Sequence, residues 1–278
     1  MIELPRYGFE PKPLGRRSDR IRAIVTVGLS QRFRKAGNDI VIAIGFLSTI
    51  LPLILVFAFS GPLLGPGGIG LNAYFFPYGS PLLLLFIALI ASLVGAGIIA
   101  DDRSTMALSL YLSRPITTRD YLLAKVAIVA TFIALIALLP GFLGALVTYL
   151  LGYAPIDLAA RAMASFVLLG ALITATFTGL ALLLSGLSSR RMFAGAGIFG
   201  FTLGLEAIAN GLAIATGERS VLHLSLWQNL LSVGRALFQV DATGSIDPLA
   251  SAAILVAFSA SAFLLTYTRL ARLEVITE

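Results

Sequence analysis

The chain has 278 residues, of which 58% are hydrophobic and only 12% charged, with a mean hydropathy of +0.95 and a formal charge of +6. A soluble domain carries about 25% charged residues, so this composition describes a polytopic membrane protein. There is no cysteine and one histidine, His223, which excludes disulfides, thiol chemistry and a histidine cluster around a metal.

The N-terminal stretch MIELPRYGFEPKPLGRRSDR has no apolar core between its charges and does not read as a cleavable signal peptide. From Arg16 to Asn38, Ile21, Ile24, Val25, Leu29 and Phe33 recur at three- and four-residue spacing, with Arg20, Arg22, Arg32, Arg34 and Lys35 on the other faces. That pattern predicts an amphipathic helix lying in the membrane interface, its apolar stripe among acyl chains and its cations among lipid phosphates. A basic flank that only sets topology is the plainer alternative.

Six long apolar runs follow, each long enough for the roughly 20 residues that span a bilayer as a helix. They lie near Ile40 to Phe59, Pro81 to Ala100, Leu122 to Leu151, Ala162 to Leu187, Met192 to Ala215 and Pro248 to Thr268. The expected fold is all-α, with residues 1–39 forming a polar N-terminus, 40–268 the membrane domain and 269–278 a tail. An even count of spans puts both termini on one side. Seventeen of the twenty Lys and Arg residues fall on that side, which the positive-inside rule makes cytoplasmic. The basic charge is spread along a membrane face with no recognition motif, so lipid headgroups rather than nucleic acid are its expected partner.

Between spans one and two, Tyr74, Phe75, Phe76 and Tyr78 stand among turn formers and suit an interfacial aromatic belt on a compact cap. Between spans two and three comes a polar island, DDRSTMALSLYLSRPITTRDYLLAK, flanked on both sides by long uncharged stretches. Its Asp101, Asp102, Arg103, Arg114, Arg119, Asp120 and Lys125 mix acids with bases, unlike a purely basic flank, and such density asks for a soluble partner. Pro115 would end a short helix there, since it lacks an amide donor and disfavours helix at Arg114.

Span five carries an acid, Glu206, about 21 Å along the helix from Met192. Two readings stand: a carboxylate that marks a pathway, with Asn210, or a buried pair, and a group that snorkels to outer water near Asn210. Gly195, Gly197, Gly200 and Gly204 on the same span suit close helix packing. The segment 217–247 is too polar to span and too apolar to float free, so short helices that re-enter or lie on the outer leaflet are expected. There Trp227, Leu230, Leu231 and Leu237 would face lipid or the pathway, and His223, Gln228 and Asn229 would face water.

The six spans, the basic helix before them and the charged loop between spans two and three resemble the permease subunit of ABC-2 type ABC transporters. The local residues agree: Asp102 and Arg103 stand where that family usually has Glu-Arg, and Leu108, Leu110, Leu112, Ser113, Arg114, Pro115, Ile116, Arg119, Tyr121 and Lys125 follow in register. Met106 and Ala107 depart from the usual Gly-Thr pair, Thr118 from a second Arg, and Ala124 from a frequent Gly. The resemblance implies that the loop 101–121 is a coupling helix gripped by a cytosolic ATPase. It also implies a dimer with itself or a similar permease, and export of a substrate across the cell membrane.

No Gly-x-x-x-x-Gly-Lys-Ser/Thr phosphate loop occurs in the sequence. The chain is therefore expected to be no enzyme and to bind no cofactor, with ATP and Mg held by the partner ATPase. A maturation-type ABC-2 permease serving an extracytoplasmic metalloprotein fits the size and topology equally. A secondary transporter would need broken helices, repeats and several intramembrane ionisable groups, and the sequence offers one such group.

Overall fold

The computed structural model describes residues 17–64, 70–105, 117–241 and 246–275. Every regular element among them is helical, and six helices are long and apolar enough to cross a membrane. The protein is a multi-pass membrane protein.

The amphipathic helix runs from Arg17 to Phe33 and breaks at Arg34 and Lys35 before span one, Ala36–Leu64. Its apolar stripe turns toward span three and not toward lipid alone. Val25 and Leu29 pack on the core, and the rings of Phe33 and Phe132 lie 4.5 Å apart. The expected helix is present, but part of its apolar face is occupied by protein.

A 3-10 helix, Leu71–Gly79, caps the bundle between spans one and two. Its aromatics do not form a belt. Tyr74, Phe75 and Tyr78 are buried and Phe76 is exposed, because the three inner rings pack against Phe57, Phe166 and Phe238 and both hydroxyls find a partner. Tyr74 shares a hydrogen bond with Thr148, and Tyr78 donates to the Ala137 carbonyl. Burial raises both phenols above their ordinary range.

Span two starts at Pro81 behind its Ser80 cap, and widens into a π-helical turn at Ala91–Gly95 before resuming at Gly97–Ser104. Span three, expected as one run to Leu151, is Thr118–Ala137 followed by a separate helix Leu139–Leu150. The break has a local cause, since Pro140 lacks an amide and cannot continue the ladder. Span four is Ile156–Leu187, span five Arg191–Thr216 and span six Pro248–Val275.

Apolar burial does not drive helices together in lipid, so close contact and hydrogen bonds must. Gly95 shows the first: a Cβ there would sit 2.5 Å from the Ala181 Cβ, so at this level spans two and four approach as closely as they do because residue 95 has no side chain. Ser185 shows the second. Its hydroxyl donates to the Ala96 carbonyl and accepts from the amides of Ile99 and Ala100, all within 3.1 Å.

Between spans five and six lie a 3-10 helix, Arg219–Leu224, and an α-helix, Leu226–Leu237. Short helices were expected, but the surroundings of four of their side chains differ from expectation. Trp227, Leu230 and Leu231 are buried in the protein's own core, and Asn229 is fully buried instead of facing water. Asn229 can be buried because it is satisfied: its amide donates to the carbonyls of His223 and Ser225, and its Oδ1 lies 2.8 Å from His223 Nδ1.

Candidate coupling site

Residues 106–116 lie outside the described residues, and with them the expected positions Leu108, Leu110, Leu112, Arg114 and Pro115. The structure describes the two helix ends that flank this segment. They are held by an extensive polar network.

On the span-two side, the Asp102 carboxylate accepts from Tyr121 Oη at 2.7 Å and pairs with Lys125 Nζ at 2.6 Å. The ammonium also lies 5.1 Å from the Tyr121 ring centre. Asp102 and Lys125 therefore join spans two and three to each other. Arg103 points elsewhere, donating to the carbonyls of Gly186 and Ser188 at the end of span four. A cation suits this position because the last carbonyls of a helix carry partial negative charge. Asp101, half-buried, lies close to both Arg32 and Lys125 electrostatically.

On the span-three side, Thr117 caps the helix by accepting from the Asp120 amide. Asp120 is buried and pairs with Arg17 of the amphipathic helix at 2.6 Å. Arg119 donates to Tyr267 Oη of span six at 3.3 Å, with its guanidinium 5.8 Å from that ring.

The π-helical turn forms a second tier at least two helical turns deeper. Widening the ladder frees carbonyls, and side chains from other elements reach them. Arg191 at the start of span five donates to the Leu93 carbonyl at 2.9 Å, and Arg32 of the amphipathic helix donates to the Val94 carbonyl. Ser92 returns a bond to the Gly195 carbonyl of span five. Burial pushes the Arg32 guanidinium below its ordinary range, helped by Arg191 and opposed by Asp101 and Asp102. The amphipathic helix is thus tied at both ends, by Arg17 to span three and by Arg32 to span two.

Of the basic residues expected to reach lipid, Arg22, Arg34 and Lys35 are exposed, Arg20 is half-buried and Arg32 is committed to protein. Ser185, Arg17, Arg191 and Tyr267 were not among the expected site residues. Arg191 sits in a plain basic turn and Ser185 in an apolar helix, and neither position announces a partner about ninety residues away.

On the far side of the bundle, Glu206 and Asn210 are brought together, and a second helix joins them. The Glu206 carboxylate accepts from Asn210 Nδ2 at 2.8 Å, from Gln228 Nε2 at 2.6 Å and from the Ser225 hydroxyl. Ser225 in turn accepts from the amides of Trp227 and Gln228, capping the helix Leu226–Leu237. A carboxylate at a helix N-terminus is favoured by the helix dipole. Trp227 is buried beside this cap.

The family model described as ABC-2 family transporter protein matches residues 18–275. The chain belongs to the ABC-2 transporter family. No curated protein matches it. As an ABC-2 membrane component, the chain has the part typically played by the non-catalytic permease, and membership implies partnership with an ABC ATPase. The all-helical fold and six candidate spans agree with that membership.

Proposed function

We propose that this ABC-2 chain is the permease of an exporter, and that segment 105–117 is where a separate cytosolic ATPase, holding ATP and Mg, docks and pushes. One observation carries the reading: both helix ends flanking that segment are bonded to other elements by charged side chains. A displacement of the segment would be felt at once by the amphipathic helix through Asp120 and Arg17, by span four through Arg103 and by span six through Arg119. The Asp102–Lys125 pair keeps the two ends moving together. Chains of hydrogen-bonded and ion-paired side chains of this kind are a physical route for such motion.

The arginine-rich face is cytoplasmic in this reading, with both termini there, and the helix Leu226–Leu237 is external. A second permease copy completes the unit, since spans one, five and six leave much of their apolar surface uncovered. Glu206, Asn210 and Trp227 hold the external helices over the outer end of the pathway.

Co-purification tests the docking. The tagged chain, expressed with its ABC ATPase, should retain the ATPase on the column, and replacing Leu108, Leu110 and Leu112 with Asp should release it while the chain stays in the membrane. Unchanged retention and unchanged ATP-dependent transport in the triple variant would place the docking surface elsewhere.

A further inference from the structure

Span one presents Ser48, Pro52 and Val56 at four-residue spacing, and these half-buried residues form one wall of a cleft of about 820 Å³. Phe76 and Leu82, from the cap and the start of span two, form the opposite wall. The cleft therefore opens on the membrane face that carries the cap, remote from the coupling site. Its volume falls within the roughly 300–1,000 Å³ of small-molecule sites.

Among the described residues, one charged side chain lines this apolar cleft: Arg235, from the last turn of the helix Leu226–Leu237. Its placement is enforced by its neighbour. A Cβ on Gly234 would lie 2.4 Å from the Phe75 ring, so the helix sits hard against the cap and delivers Arg235 to the cleft. Arg235 is half-buried, and among the described residues no side chain hydrogen-bonds or ion-pairs with it. The adjoining stretches 60–69 and 242–245 contain no Asp or Glu in their sequence. A cation set against apolar walls is costly unless an anion meets it.

We propose that this cleft binds an anionic amphiphile, with its acyl chain along Pro52, Val56, Phe76 and Leu82 and its carboxylate or phosphate head on Arg235. A guanidinium suits either head because its planar fork can hold two oxygens at once. Asn72, exposed at the rim, adds a neutral amide within the same lining. The apolar walls and the single cation select together: the tail alone lacks the ion pair, and the head alone lacks the walls.

Native mass spectrometry of the full chain released from phosphatidylcholine nanodiscs tests this. The probes are palmitate, palmitoyl lysophosphatidate, monopalmitoylglycerol and inorganic phosphate. Palmitate or the lysophosphatidate should be retained at one per chain, with Arg235→Gln weakening it about tenfold or more, as loss of a charge-assisted hydrogen bond implies. Arg235→Lys should recover part of that loss, and Val56→Trp, which fills the cleft without touching the charge, should block retention. Equal retention of monopalmitoylglycerol or of inorganic phosphate would overturn the proposal. So would anion retention unchanged by both Arg235→Gln and Val56→Trp. The readout is binding, so the result is independent of whether an ATPase docks at 105–117.

Discussion

Lys125 and Asp102 meet at 2.6 Å between spans two and three, with side chains only 9% and 19% exposed. A pair this enclosed is dangerous to halve, because removing one member strands the other in a poorly solvated site. Lys125→Met should therefore destabilise the protein by about 3 kcal/mol. Adding Asp102→Asn should recover much of that loss, since the stranded charge is then gone. Thermal unfolding of the detergent-purified single and double variants checks the order. A double variant as unstable as the sum of its singles would mean the two residues do not act as a pair.

Ser185 makes three hydrogen bonds to the backbone of span two. Ser185→Ala should cost about 1–3 kcal/mol, because buried amides and a carbonyl lose their partner. Arg103→Gln should instead leave stability nearly unchanged and lower transported cargo per ATP hydrolysed, because it loosens span two from span four at a partly solvated end. Parallel measurements of melting temperature and of the transport-to-hydrolysis ratio separate the two effects.

Tyr78 gives a pH dependence whose sign follows from its burial. Its folded-state pKa is raised, so the neutral form is favoured on folding. The stabilisation is complete below the ordinary tyrosine value near 10 and declines as pH rises beyond it. Alkaline unfolding should thus be less steep in Tyr78→Phe than in the parent chain, read by circular dichroism between about pH 9 and 12.

On the opposite face, Glu206→Gln should loosen the helix Leu226–Leu237 by removing a carboxylate that accepts three hydrogen bonds. The native chain has no cysteine, so Leu230→Cys, at a position 1% exposed, reports the opening cleanly. A membrane-impermeant thiol reagent added outside cells should react about tenfold faster in the Glu206→Gln background, the change expected for about 1.4 kcal/mol of lost local stability. Reaction only from the cytoplasmic side would reverse the proposed orientation.

The spans were legible because apolar runs of bilayer length have few other uses, and the break in the third shows the limit of that reading. Pro140 was visible, but inside a 30-residue apolar run its effect on continuity depends on what lies across from it. The N-terminal helix was legible from its spacing, whereas what its apolar stripe meets was not, because Val25, Leu29 and Phe33 suit acyl chains and span three alike. In the coupling site, Asp102, Arg103, Arg119 and Lys125 stood out by charge. Their pairing did not, since partners such as Tyr267 and the Gly186 carbonyl are brought close only by the folded bundle. The inward turn of Tyr74 and Tyr78 was missed for a related reason: an amphipathic ring fits a lipid interface or a buried hydroxyl partner, and sequence does not distinguish them.

The π-helical turn at Ala91–Gly95 sets the phase of everything that follows it in span two. A single-turn widening amounts to one residue more than an α-helix would use, and one residue is about 100° of rotation around the helix axis. Asp102 faces Lys125, and Arg103 faces span four, only with that extra residue in place. Deleting one residue from this turn would leave every side chain of the coupling site present while swinging the acids away from Lys125. The chain's length within those five positions therefore matters as much as their chemistry: it works as a dial whose setting decides which helix each charge addresses.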